Sequence, residues 1–243
     1  MIGLGAYAQT APDFIGSAVS IDVPAPLTVS EHAYRAIRSD IIFGRLKPDQ
    51  KLGLERLKEL YDVSVSTLRE ILSRLGSEGF VLAEGQRGFQ VAPVSLGDLR
   101  EIADLRLLLE CRAVETSFAA GDLEWEGAVV AAHHKLALLE KQMLAGDKTQ
   151  AALWKRYDLE FHRALISACG SRALLDIYGA IYDKYLRYLM VALVFRGEVA
   201  AKEHEQLLEC ALTRDAARAK EILARHINEC VAFAGRTGHL DKK

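Results

Sequence analysis

The stretch Val65-Ser66-Thr67-Leu68-Arg69-Glu70-Ile71-Leu72-Ser73-Arg74-Leu75-Gly76-Ser77-Glu78-Gly79-Phe80-Val81-Leu82-Ala83 changes its grammar part-way along. Leu68, Ile71, Leu72 and Leu75 follow the i, i+3, i+4, i+7 rule, which predicts a helix from Val65 to Glu78 buried on one face. Gly79 suits the left-handed residue that ends such a helix. Beyond it, Phe80–Ala83 and Phe89–Val91 are short β-type runs around Glu84-Gly85-Gln86-Arg87-Gly88, which reads as a hairpin. Upstream, Asp62-Val63-Ser64 predicts a tight turn, preceded by a short helix over Leu54–Tyr61 with Leu57 and Leu60 on one face. Ala33, Ile37, Ile41 and Ile42 recur at helical spacing from Ser30 to Phe43, with Ser30 able to cap the start and Gly44 and Pro48 bracketing the end. Three helices followed by a β-hairpin is the order of a winged helix-turn-helix.

After Gly97 the pattern is helical throughout. The predicted helices are Asp98–Ala120, Leu123–Ala145, Thr149–Cys169, Arg172–Phe195, Glu198–Thr213 and Asp215–Gly235, most of them separated by Gly121, Gly146, Gly170 and Gly197. No proline follows Pro93, which fits an antiparallel bundle. The fold class is therefore mainly α: a winged helix-turn-helix over residues 28–93, then an all-helical domain over 98–238. Residues 1–27, with their Gly, Ala and Pro, read as a flexible arm.

Charge does not announce a partner. The 243 residues carry a net charge of −2, and Thr28–Ser95 holds ten Lys/Arg against nine Asp/Glu. Cys111, Cys169, Cys210 and Cys230 are far apart with no C-x-x-C pair, and read as core thiols in a reducing cytoplasm. No apolar run approaches the ~20 residues of a membrane span, and the N-terminus lacks the basic start of a signal peptide. These features point to a cytoplasmic protein without a membrane partner.

A recognition helix presents small polar and basic residues on its first turns, where base edges and phosphates lie. Ser64, Ser66, Thr67 and Arg69 supply them, Arg74 could reach a phosphate from further along, and Arg87 at the wing tip could enter a narrow groove. The competing reading is a solvated helix beside a surface hairpin; charge alone leaves the two near even.

In the bundle, Asp158 and His162 lie four residues apart, one turn along the same helix face. That spacing suits two ligands to one ion, but alone it describes a solvated pair or a core histidine better. His204 and His226 belong to later helices, and spacing does not bring them together. His133 and His134 are expected to face solvent, and Trp125, Trp154, Tyr182, Tyr185 and Tyr188 read as packing residues.

Resemblance adds what spacing cannot. The runs Ile42-Phe43-Gly44-Arg45-Leu46-Lys47-Pro48, Leu57-Lys58-Glu59-Leu60-Tyr61-Asp62-Val63-Ser64 and Thr67-Leu68-Arg69-Glu70-Ile71-Leu72, with Glu78-Gly79-Phe80-Val81, resemble the GntR family of transcription regulators. Gln86-Arg87-Gly88-Phe89-Gln90-Val91 is similar to that family's glycine-rich wing. Two positions depart from it: Val65 and Glu55 stand where the family commonly has DNA-contacting arginines, so Arg56 or Lys58 would substitute for the second. Asp158-Leu159-Glu160-Phe161-His162, His204-Glu205-Gln206-Leu207-Leu208 and the approach to His226 resemble the ligand-binding domain of the FadR subfamily, and Arg106-Leu107-Leu108-Leu109-Glu110 its opening helix.

That resemblance implies a divalent metal, zinc with nickel or manganese as alternatives, held by Asp158, His162, His204 and His226. It also implies a small carboxylate effector gripped by arginine, with Arg106 the first candidate and Arg187 and Arg196 behind it. The whole-chain pattern is similar to CsiR-type regulators of glutarate and 2-hydroxyglutarate catabolism, which would make the effector a C5 dicarboxylate. A homodimer reading a double-stranded operator and released by its ligand completes the expectation. Two alternatives stay open: a metal-dependent hydrolase fused to a DNA-binding module, and a purely structural metal. Against the hydrolase, Glu160 and Glu205 neighbour the ligand candidates but point elsewhere on their helices, and no nucleophile elbow, phosphate loop or His-Glu-x-x-His occurs.

Overall fold

The computed structural model describes residues 28–85, 88–192 and 195–240. The arm 1–27, the wing-tip residues Gln86 and Arg87, and Lys242-Lys243 lie outside the described residues. The N-terminal part contains α1 (Val29–Ile42), β1 (Lys51–Leu52), α2 (Leu54–Tyr61), α3 (Val65–Ser77), β2 (Val81–Ala83) and β3 (Phe89–Val91). Ile37, Ile41, Leu57, Leu68, Leu72, Leu75, Phe80 and Val91 are buried together, so most of the predicted apolar positions meet in one core; Leu60, expected on one face with Leu57, is instead 57 % exposed.

The details differ from the sequence reading in two further places. Thr28, not Ser30, caps α1: its backbone is extended and its hydroxyl accepts from the Glu31 N–H, so the helix starts earlier and Ser30 falls in its first turn. β1 went unpredicted because two residues carry no readable period. It pairs antiparallel with β3, and the sheet order is β1-β3-β2. Gly79 has φ +82°, the left-handed geometry expected of it, and its N–H reaches back to the Gly76 carbonyl.

The C-terminal part is α4 (Leu96–Ala120), α5 (Leu123–Leu144), α6 (Ala151–Ile166), α7 (Arg172–Val191), α8 (Glu198–Thr213) and α9 (Ala216–Thr237). Ser95, Asp122, Ser171 and Asp215 cap four of these helices by accepting from the third residue of the first turn. The predicted helix over 149–169 is shorter at both ends: a single 3-10 turn (Lys148–Gln150) precedes it, and the chain leaves the helix after Ile166. The next stops at Val191 rather than Phe195. α4 packs along α9 and α7, α5 against α6 and α8, and α8 on α9. No helix among the described residues is long and apolar enough to cross a membrane.

The two parts meet through α1 and α7. Arg38 on α1 donates to Glu78 at 2.8 Å and to Asp183 on α7 at 2.7 Å. Arg187, one turn beyond Asp183, donates to the Ala92 carbonyl, at the entrance to the link between the parts.

Candidate metal centre and nucleic-acid surface

α6 supplies Asp158 and His162, α8 His204 and α9 His226. Phe161 is fully buried and sits edge-on to His162 and His204, with centroids 5.9 and 5.8 Å away. Packing α6 onto α5 and α8 onto α9 thus turns the four side chains toward one point. One ligand atom from each lies within 4.8 Å of every other, and all four residues are buried.

Each imidazole is turned by its own carboxylate. Nδ1 of His162 pairs with Glu110 at 2.5 Å, Nδ1 of His204 with Glu140 at 2.6 Å and Nδ1 of His226 with Glu203 at 2.9 Å. A Glu at Nδ1 sets the tautomer in which Nδ1–H donates and Nε2 keeps its lone pair. Nε2 of His162 and of His204 is buried without a hydrogen-bond partner. An orphaned buried acceptor is costly unless something else occupies it, and a divalent cation is what this donor set fits.

Electrostatics agree. Burial, reinforced by Arg106 against the pull of Glu110, lowers the pKa of His162; burial and its imidazole neighbours depress His226 well below the usual range. Burial works to raise the Asp158 carboxyl, yet the charge of Lys155 leads the contributions that outweigh it and hold it well below the carboxylate range. Glu110 is likewise drawn down to about 2: Arg106 and His162 overcome its burial. Neutral imidazoles and an ionised carboxylate are the states that ligate metals.

Arg106 lies beside this cluster, 1 % exposed. Its guanidinium stands 4.6 Å from the ring centres of both Tyr182 and Tyr185, its Nε donates to Glu110 at 2.9 Å, and one Nη is buried without a partner. Tyr182 also donates to Asp158 at 2.5 Å, so two of the tyrosines read as packing residues belong to the site. Arg187 does not: its contact is the Ala92 carbonyl. Arg196 does lie here, donating to Glu203 at 2.5 Å and standing 3.0 Å from Nδ1 of His226. A small cavity lined by Trp154, Lys155, Asp158, Arg196, His204, His226 and Cys230 leaves ≈ 10 Å³ for the centre of a water molecule. His133, expected in solvent, is half-buried with its ring edge-on to Phe161 at 5.3 Å, whereas His134 is exposed.

On the other part, Ser64 caps α3. Its hydroxyl accepts from the Thr67 N–H at 3.1 Å and bonds the Ser66 and Thr67 hydroxyls at 2.8 and 2.9 Å. A helix N-terminus ringed by hydroxyls, with no acid in its first turn, is a favourable approach for phosphate. Arg56 and Arg69 are exposed and form no ion pair among the described residues. Arg74 is engaged within the chain: it pairs with Glu31 at 3.0 Å and stacks 3.5 Å over the Tyr34 ring. Arg87 lies outside the described residues.

Comparison with known proteins decides the family. Residues 29–91 match the model of bacterial regulatory proteins of the gntR family, and residues 101–229 match the FCD domain. The HTH-type transcriptional regulator BphR of Paraburkholderia xenovorans is 35% identical over 89% of this chain and 91% of its own. The chain belongs to the GntR family. Within it, the HTH-type transcriptional repressor GlaR of Escherichia coli K12 is 36% identical over 80% of this chain and 90% of its own. Among solved structures, E. coli McbR/YncC superposes with a TM-score of 0.71 at 19% identity, covering 87% of this chain and 99% of that one. A GntR regulator from Rhodococcus sp. RHA1 gives 0.68 at 20%, over 85% and 97%. BphR and GlaR are HTH-type transcription regulators, and this GntR/FCD protein is a DNA-binding regulator of the FadR-like type rather than an enzyme.

Residue-level reading of this GntR regulator missed the orienting shell. Glu140 was visible as a charge on an otherwise apolar face, between Leu136 and Met143, and Glu110 as an acid one turn from Arg106 on the face that carries Leu99, Ala103 and Ala113. A carboxylate held on a buried stripe is a signal for a buried partner. Lys155 and Glu203 gave no such warning, because each stands beside a stronger candidate.

Proposed function

We propose that this GntR regulator is a homodimeric repressor, released from a double-stranded operator by a small carboxylate bound beside a divalent ion in the helical bundle. The observation that carries the reading is the pair of buried, partnerless Nε2 atoms on His162 and His204, in a cluster where every imidazole is turned by its own glutamate. Asp158, His162, His204 and His226 would hold the ion, zinc with nickel or manganese as alternatives. When bound, the ion would supply Lewis-acid positions for carboxylate and hydroxyl oxygens. Arg106 would take a carboxylate on its free Nη, its plane fixed by Tyr182 and Tyr185. A C5 dicarboxylate, glutarate or 2-hydroxyglutarate, follows from the CsiR-type resemblance.

Coupling to DNA would run through α7. Tyr182 touches the metal-ligand Asp158, while Asp183 and Arg187 on the same helix hold α1 and the Ala92 carbonyl. The small cavity means the walls must part to admit an acid, and α7 is one neighbour that would feel it. Operator contacts fall to Ser64, Ser66, Thr67, Arg56 and Arg69 and to Arg87 on the wing, with Arg74 free to join only by leaving Glu31. Two copies would read two half-sites in the cytoplasm. The effector can act only by differential affinity for the two states, and a tenfold loss of operator affinity needs ~1.4 kcal/mol of coupling.

The test is melting temperature of ion-loaded protein against a panel of small carboxylates, followed by operator binding with the acids that shift it. One dicarboxylate should raise the melting temperature and weaken operator binding, and His204→Ala should abolish both effects. Stability that depends on the ion with no response to any acid would leave a structural metal and sink the sensor reading.

A further inference from the structure

We propose that Lys155 reads the second carboxylate of the effector, making the site selective for acids with two anionic ends. This rests on the carboxylate-sensor reading above. Lys155 is 5 % exposed and lines the cavity beside Asp158, His204 and His226. Its ammonium lies 4.0 Å from the Trp154 ring centre and 3.7 Å from Asp158 Oδ2, and among the described residues it makes no hydrogen bond. Oδ2 already accepts from Tyr182. A buried ammonium with three donors and no acceptor at hydrogen-bond distance is costly, and the natural remedy is an anion from outside the chain.

The charge count around the cluster points the same way. Glu110, Glu140, Asp158 and Glu203 are matched by Arg106, Lys155, Arg196 and the half-exposed Arg225, which donates to Glu203 at 3.2 Å. With the imidazoles neutral, as ligation requires, the shell is balanced before any ion binds. A divalent ion leaves two positive charges in excess, and Lys155 then faces a cation across Asp158. A dianion restores the balance; a monoanion leaves half of the excess in a buried site, where it is least screened. Unfilled donor capacity lies on two sides: on Arg106, which joins the cluster through Glu110 and His162, and at the cavity on Lys155, which joins it through Asp158, and on Arg196, whose Nε is also buried without a partner. Two separate cationic grips suit one acid with a carboxylate at each end.

The experiment compares glutarate with pentanoate, which has the same chain length and one carboxylate, by calorimetric titration of zinc-loaded protein. Zinc affinity is measured separately by competition with a chromophoric chelator. Wild-type protein should bind glutarate at least about tenfold more tightly, the gain of one charge-assisted hydrogen bond. Lys155→Met should weaken glutarate about 10- to 100-fold and leave pentanoate within about threefold, with no loss of zinc affinity. Lys155→Arg, which keeps the cation and tests the site should the methionine variant fail to fold, should retain a preference for glutarate. Equal weakening of both acids, or zinc affinity falling with glutarate affinity, would assign Lys155 to the metal shell and overturn the proposal. Wild-type protein binding both acids equally overturns it as well, with the sensor reading intact. Binding neither acid strikes that reading itself.

Discussion

The two parts of the molecule bury opposite kinds of residue. Among the described residues, every buried charged or strongly polar side chain belongs to the bundle, from Arg106 to His226, and none to the winged part. The winged part closes an aliphatic core over Ile37, Leu68, Leu72 and Leu75 and leaves Ser64, Ser66, Arg56 and Arg69 outside, where a polyanion can reach them. The bundle turns acids, cations and imidazoles inward around a point small enough for one ion. On the function proposed above, one part meets a partner that arrives on its surface, the other a ligand that must be enclosed. Desolvated charge is tolerable only when partnered, so the bundle's interior is stable to the degree that its network is complete.

That difference can be broken or sharpened by experiment. The largest effect belongs to the aliphatic core: Leu72→Ala should cost roughly 2–5 kcal/mol in denaturant unfolding. The loss should be the same with zinc and with chelator; a metal-dependent loss would mean the two parts do not divide as described. Next comes the ion itself. Zinc at a hundredfold over its dissociation constant should add about 2.7 kcal/mol, and His162→Ala should abolish the gain. An equal gain in that variant would move the metal elsewhere. Smaller is the orienting shell: Glu140→Gln should reduce zinc affinity about 10- to 100-fold with little change in operator binding. Unchanged zinc affinity would demote Glu140 to packing. The smallest is the cap on α3, where Ser64→Ala should cost ~1 kcal/mol of stability and weaken operator binding without touching zinc affinity.

How much of this could be read from the residues follows from the same contrast. The winged part was legible because its stripes are uninterrupted: every apolar position of 65–75 that the period selects is buried. The β1 strand escaped because it is made by its partner β3 and not by its own two residues. In the bundle the helices were legible, but convergence was not, since Asp158–His162 is local and His204 and His226 reach it only through packing. The resemblance named those four, and only coordinates could name Glu140 and Glu203 as what turns two of them. Arg187, an effector candidate behind Arg106 in the sequence, has its guanidinium on the Ala92 carbonyl at the junction between the parts, a contact that only the packing of α7 reveals.

Trp154 carries a consequence for the bench. Its ring forms one wall of the small cavity at the histidine cluster, lies edge-on to Phe195 at 5.0 Å and holds the Lys155 ammonium over its face, while its indole N–H is buried without a partner. Trp125, the other tryptophan of the chain, is fastened elsewhere, with its N–H on the Ala164 carbonyl and its ring against Phe118. The protein thus contains a fluorophore at the cavity and a second one away from it to serve as an internal standard. Emission should report occupancy of the cavity in unlabelled protein, and a Trp154→Phe variant should go silent to the same titration.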